Sequence, residues 1–336
     1  MSKLTREDYY KSTRVSNSSL SWLLPESGGS PAKYEELSLF PSEQEDSQAM
    51  LLGSHIHKLL EKKTLNVFQE TETPSAAVTS IAETVVENLP NFDKQPPAIV
   101  EEELIKTARA QGYHNDWKDV TLGKNLTSAA GIFMLQLFKA KKDGISLVDK
   151  TTYDTLKIVL PKLEKLLPWN FDKSVDPPMC EGDHYEILNE LIVEFDLLGV
   201  PCKAMIDLVV INKSKGLFQV YDLKTTSTPL SIYFGHTMSA FVEDSVSKSR
   251  ILADVEVPGT FLKWQVHRQM AFYNRAVQAR LGYHPMGSPV IIGCETKMPY
   301  EVQLRSLTYE ELTIGDARVL KAIEMIDAMG LNGVGL

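Results

Sequence analysis

The chain has 336 residues, 43% hydrophobic and 24% charged, enough to bury a sizeable core as one large domain or two modest ones. Its formal charge of -9, from 44 acidic against 35 basic residues, excludes a protein that coats nucleic acid indiscriminately, because that binding draws on phosphate neutralisation by Lys and Arg. A local basic groove, or acids gathered around a metal ion, stays compatible with it. Three widely spaced cysteines, Cys180, Cys202 and Cys294, exclude a disulfide framework and any four-cysteine cluster within one chain, and read as buried thiols. The polar start MSKLTREDYYK and the lack of an apolar run of bilayer length predict a cytoplasmic protein with no membrane contact.

In chain order, residues 1–14 read as a loosely held leader. SNSSLSWLL follows as a helix capped by Ser16 or Asn17 and ended by PESGGSP. Tyr34 to Ser47 reads as acidic and irregular, and Ala49 to Lys63 as a helix. On that helix Gly53, His57 and Glu61 recur every four residues along one line, while Leu52, Ile56, Leu59 and Leu60 supply the packing side. Gly53 lets another backbone or a ligand come close. A short helix is expected near Ala76 to Asn88, then longer ones over Glu101 to Ala110, Ser128 to Lys141 and Thr152 to Leu167. The knot Lys139, Lys141 and Lys142 reads as a solvated helix end, where cations complement the dipole.

The centre turns to β structure. Tyr185 to Asp196, Pro201 to Asn212 and Leu217 to Thr226 are strand-like runs joined by short Gly-bearing turns, the pattern of an antiparallel meander. The third ends in DLKTT. Alternation along a strand puts Asp222 and Lys224 on one side and Leu223 on the other, and the meander sets Asp207 on the neighbouring strand, so two carboxylates and a lysine converge. Asp-x-Lys alone is more often a solvated charge pair; the neighbouring Asp207 is what raises it above that. Ser227 to Gly259 is expected to be a mobile loop or an inserted flap. Phe261 to Arg280 reads as a helix with Gln265, Gln269 and Tyr273 in line and Trp264, Ala271 and Phe272 packing. Two strands then flank the Met298-Pro299 turn, and Thr308 to Met329 closes the chain as an amphipathic helix. The class is α/β, a central mixed sheet flanked by helices. We expect a single domain over 1–336, with a leader and helix in 1–48, a mainly helical part in 49–180 and the sheet core in 181–336.

Taken together, GSHIHKLLE (53–61), KAMID (203–207), DLKTT (222–226) and QMAFY (269–273) resemble, in order and type, the motifs of PD-(D/E)XK nucleases, nearest the branch of RecB nuclease domains and exonuclease VIII (RecE), of phage or prophage type. SNSSLSWLL…SPAKY and ETKMPYEV extend the resemblance over most of the chain. It implies a restriction-endonuclease-like core with helical N-terminal additions. It also implies metal ligation by His57, Asp207, Asp222 and the backbone carbonyl of Leu223, with Glu190 favoured over Glu194 as a further acid. Catalysis would fall to Lys224, Asp222, Asp207 and Gln269, and DNA contacts to Tyr273, Gln265, Thr225 and Ser54.

These residue types suit phosphodiester hydrolysis. The attacked group is an anion, so cations must offset charge and lower the pKa of water. Carboxylates are hard ligands for Mg²⁺, and an imidazole tolerates Mn²⁺ as well. The expectation is a Mg²⁺-dependent exonuclease working from double-stranded ends, 5′ to 3′, for recombination. A single-strand annealing partner and a homo-oligomer are implied by resemblance, with host-cell cytoplasm as the location if the gene is a phage's. The rivals are a structure-selective or single-strand endonuclease on the same fold, and an inactive nucleic-acid-binding relative. The longer segment between DLKTT and QMAFY leaves Gln265 and Gln269 sharing one expected role.

Overall fold

The computed structural model describes residues 4–39, 48–72, 74–89, 91–178, 180–243 and 250–330. The chain opens with α1 (Arg6–Lys11), α2 (Asn17–Leu23), α3 (Pro31–Leu39) and α4 (Gln48–Lys62). Thr5 and Ser16 cap α1 and α2, each in a reciprocal pair with the residue three positions on. Next come β1 (Phe68–Glu70), α5 (Ala76–Asn88), α6 (Pro97–Ala110), α7 (Asp119–Asp143), β2 (Ser146–Val148), α8 (Lys150–Leu166) and α9 (Pro168–Phe171). The meander is β3 (Tyr185–Leu197), β4 (Val200–Asn212) and β5 (Leu217–Thr226). After it run α10 (Leu230–Phe234), β6 (Gly235–Glu243), β7 (Arg250–Pro258), α11 (Val266–Leu281), β8 (His284–Pro285), β9 (Val290–Glu295), β10 (Val302–Ser306) and α12 (Tyr309–Ala328).

The chain divides into two compact units, Met1–Lys63 with Pro161–Leu336, and Thr64–Leu160. In the second, α5, α6 and α7 bury Ile81, Val85, Leu104, Leu122, Phe133 and Met134 against one another, while β1 and β2 pair in parallel. In the first, the sheet order is β10-β9-β5-β4-β3, with β8 also on β5. Pairing is antiparallel except where β5 meets β8 and β9, so the sheet is mixed. Its core joins Val193, Ile206, Val209 and Phe218 to Met270 and Phe272 of α11, Val319 and Ile323 of α12, and Leu20 and Leu23 of α2. Phe272 meets Phe195 with ring centroids 5.3 Å apart. All three cysteines are buried and unpaired, and burial pushes the Cys202 and Cys294 thiols up to about 12. Among the described residues no helix is long and apolar enough to cross a membrane.

Four expectations need correction. Pro31–Leu39 is helical rather than irregular: Pro31 starts it with a pre-set φ, and Tyr34 is buried; residues 40–47 lie outside the described chain. The stretch expected as a loop over 227–259 contains α10 and the antiparallel ribbon β6–β7. Its strand-forming residues flank the polar run 244–249, which lies outside the described residues. The helix expected from Phe261 begins only at Val266: Thr260–Leu262 form a short 3-10 turn instead, and Gln265, the helix's N-cap, takes a left-handed backbone (φ 58°). Gln265 therefore leaves the helical stripe of Gln269 and Tyr273. Trp264, expected to pack, is 69% exposed.

Candidate active site

The β4–β5 ladder ends at the pair Leu208 and Tyr221. One residue further along each strand stand Asp207 and Asp222. There the ladder is replaced by a side chain: Asp207 Oδ2 accepts the Leu223 backbone N–H at 2.7 Å. The other oxygen of Asp207 lies 3.2 Å from His57 Nδ1 on α4. Lys224 Nζ lies 2.6 Å from Asp222 Oδ2. Alternation along β5 and the antiparallel register of β4 thus bring Asp207, Asp222 and Lys224 together, and α4 delivers His57 from more than a hundred residues upstream.

The electrostatics follow from burial and pairing. Asp222 is 1% exposed, and burial pushes its carboxyl up despite the Lys224 ammonium; the nearby Asp207 charge acts in the same direction as burial. For Asp207 burial also opposes ionisation, but the His57 charge and hydrogen bond, with Lys224 and the Leu223 amide, hold its carboxyl below the usual range. Burial works against protonation of His57, yet the charge and hydrogen bond of Asp207 outweigh it and raise the imidazole's pKa. Asp222 Oδ2 is a buried oxygen with no aligned hydrogen-bond partner, although the ammonium is close.

The helix α4 can approach β5 because position 53 has no side chain. A Cβ there would come 2.7 Å from Thr225 Oγ1, against a β-branched residue with little room to turn. Gly53→Ala is expected to cost about 1 to 3 kcal/mol in urea unfolding. Gly131→Ala on α7, whose Cβ would meet nothing within 4 Å, should instead gain about 0.5 to 1 kcal/mol. Equal behaviour of the two would mean that α4 does not depend on that close approach.

From α11, Gln269 Nε2 donates to the Tyr273 hydroxyl at 2.7 Å. Burial, and then the charges of Asp222 and Asp207, raise the Tyr273 pKa, so the phenol stays protonated beside the carboxylates. Tyr273 is 8% exposed, and Thr225 is half-buried against α4; Ser54 is exposed on that helix. Gln265 is turned to other work: its Oε1 accepts from Arg318 at 2.6 Å.

Glu190 sits between the β3–β4 pairs Asn189 with Leu208 and Leu191 with Ile206, opposite Asp207. Its backbone is left-handed (φ 54°), and its carboxylate accepts from Arg6 Nε at 2.5 Å and pairs with the same guanidinium's Nη2, which also reaches Glu61 at 3.7 Å. Glu194 is held by Ser12 Oγ at 2.9 Å and Arg14 at 3.4 Å. The N-terminal segment, read from sequence as a loose leader, therefore engages both acids. Lys203 Nζ donates to the Tyr9 and Ser12 carbonyls, and Val15 bridges Cys202 in parallel.

The donor set of His57, Asp207 and Asp222, together with the unsatisfied Asp222 oxygen, has the chemistry of a divalent-cation site. Among the described residues, however, no three His, Cys, Asp or Glu side chains are gathered at ligand spacing. His57 and Asp207 are engaged with each other, and Asp222 with Lys224, so ligation would require these pairs to open.

No family model matches the sequence, and no curated protein matches it. Among solved structures the chain is similar to a crystal structure from Eubacterium rectale described as "Putative exonuclease", at 13% identity and a TM-score of 0.45, over 98% of this chain and 88% of that one. A likeness of that size carries no argument about function.

Proposed function

We propose that the chain is a divalent-metal-dependent DNA exonuclease of the PD-(D/E)XK type, similar to exonuclease VIII, that hydrolyses phosphodiester bonds from double-stranded ends. The observation that carries this reading is the gathering of Asp207, Asp222 and Lys224, with His57 from α4, where the pairing of β4 with β5 stops. Asp207, Asp222, the Leu223 carbonyl and His57 would hold the cation, with Glu190 joining if Arg6 releases it. A bound divalent ion would offset phosphate charge and lower the pKa of a water molecule. Lys224 would orient the attacking water and stabilise the negative charge that builds on the phosphate. Gln269 keeps the Tyr273 hydroxyl in place, and that hydroxyl retains a proton to donate to a phosphate oxygen. A 5′ to 3′ direction, a homo-oligomeric ring and an annealing partner rest on the resemblance alone.

The test is digestion of linear duplex labelled at either end, beside a covalently closed circle, with Mg²⁺, Mn²⁺ or chelator. The expected result is metal-dependent release of label from one end, an intact circle, and a loss of about a thousandfold or more in rate for Lys224→Ala. Cutting of the circle would move the assignment to an endonuclease. No hydrolysis of any DNA with either metal would overturn it.

A further inference from the structure

The segment ahead of α2 reaches the candidate site and is held there mainly by charge and hydrogen bonds. α1 is six residues long and buries none of them. Arg6 Nε donates to Glu190 Oε2 at 2.5 Å, its Nη2 pairs with the same oxygen, and that nitrogen stands 3.7 Å from Glu61. Glu61 is one helical turn from His57 on α4, and Glu190 stands opposite Asp207 in the β3–β4 ladder. One guanidinium thus bridges a neighbour of His57 and a neighbour of Asp207. Further along, Ser12 and Arg14 hold Glu194, Arg14 also reaches Asp196 at 3.5 Å, and Lys203 Nζ lies 4.6 Å from the Tyr9 ring centroid. Val15, 8% exposed and bridged to Cys202, fixes the end of the segment to β4.

The acid that Arg6 covers has an unusual backbone. Glu190 is left-handed (φ 54°) in the interior of a strand, which a non-glycine residue adopts at a cost, and such strain gathers at ligand sites. Glu194, paired with the other N-terminal arginine, has no such conformation. The Arg6 side chain is 54% exposed, so water and salt screen its pairs, and a short helix without buried residues opens readily. A divalent cation is more compact, carries twice the charge and takes carboxylate oxygens as direct ligands. Glu190 Oε2 is not open to it while two nitrogens of Arg6 hold that atom.

We propose that Arg6 is a tethered competitor for the divalent cation, holding Glu190 and Glu61 until the ion binds and displaces it, so that metal binding lifts α1 from the rim of the site. The inference rests on reading the carboxylates as a metal site and adds how access to that site is regulated.

The experiment is a calorimetric titration of the full chain with Mn²⁺, in the parent, Arg6→Gln and Arg14→Gln. Arg6→Gln is expected to bind Mn²⁺ about threefold to tenfold more tightly than the parent. Arg14→Gln removes the same charge from the same segment but contacts Glu194 and Asp196 instead, and is expected to change the affinity by less than about twofold. Unchanged circular dichroism will certify the folds. A second readout is trypsin cleavage after Lys11, whose side chain is 73% exposed. Mn²⁺ is expected to speed that cleavage about fivefold in the parent, and Arg6→Gln to be cut as fast without the ion. Equal Mn²⁺ affinity in the parent and Arg6→Gln, an equal gain in Arg14→Gln, or cleavage indifferent to Mn²⁺ in the parent overturns the competition and leaves the metal site standing. Failure of the parent and both variants to bind Mn²⁺ overturns both.

Discussion

Asp222→Asn is expected to abolish DNA hydrolysis, by about a thousandfold or more, while leaving the melting temperature unchanged or higher. The two halves of that expectation have one cause. Asp222 is 1% exposed with an oxygen that has no aligned hydrogen-bond partner, and a charge in that position costs folding energy that a neutral amide of the same shape does not. Lys224, left without its carboxylate, is about a quarter exposed and can be solvated. The rate of digestion of end-labelled duplex and a thermal melt on the same preparation check both halves. Undiminished activity would sink the assignment of Asp222. A fall of many degrees in melting temperature would make it a structural residue.

The largest stability effect is expected at Arg268. Its guanidinium is 1% exposed and donates to the Asn17 carbonyl and Oδ1, at 3.3 and 3.2 Å, to Ser21 Oγ at 2.6 Å and to Ser27 Oγ at 3.3 Å. All of these acceptors are neutral. Burial lowers its pKa to about 10, with the Glu26 charge opposing. Arg268→Ala removes the donors from half-buried acceptors on α2 and the turn after it and leaves a cavity, which together cost on the order of 3 kcal/mol in urea unfolding. Arg268→Met, which keeps most of the volume, should recover part of that loss and so separate packing from hydrogen bonding. Because α11 carries Gln269 and Tyr273, a loosened α2 should also show as faster proteolysis near residues 17–23. A variant as stable as the parent would mean that this clamp contributes nothing.

Much of the candidate site's arrangement was legible beforehand because its spacing is local. Period-two alternation decides that Asp222 and Lys224 share a side, and short turns in the meander decide that Asp207 is their neighbour. The capping pattern of SNSSLSW announced α2, and the flanking strands announced the Met298-Pro299 turn. Elements failed to be read where a single backbone conformation overruled a pattern. Gln265 fits the four-residue line of Gln269 and Tyr273, but its left-handed φ takes it off the helix and toward Arg318. Glu190 and Glu194 share parity on β3, yet what distinguishes them is their partners: Arg6 for one, and Ser12 with Arg14 for the other.

By itself the sequence determined the mixed α/β class, the order of the central strands, and the alternation that puts Asp222 and Lys224 on one side of β5 with Asp207 on the neighbouring strand, because hydrophobic period and turn chemistry act over a few residues. Only the tertiary structure decided that His57 reaches Asp207, that the N-terminal segment grips the acids of β3, and that Gln265 turns to Arg318. Those contacts join residues tens to hundreds of positions apart. The cost of closing such long loops is met only by burying many side chains together, and no short window of sequence records that.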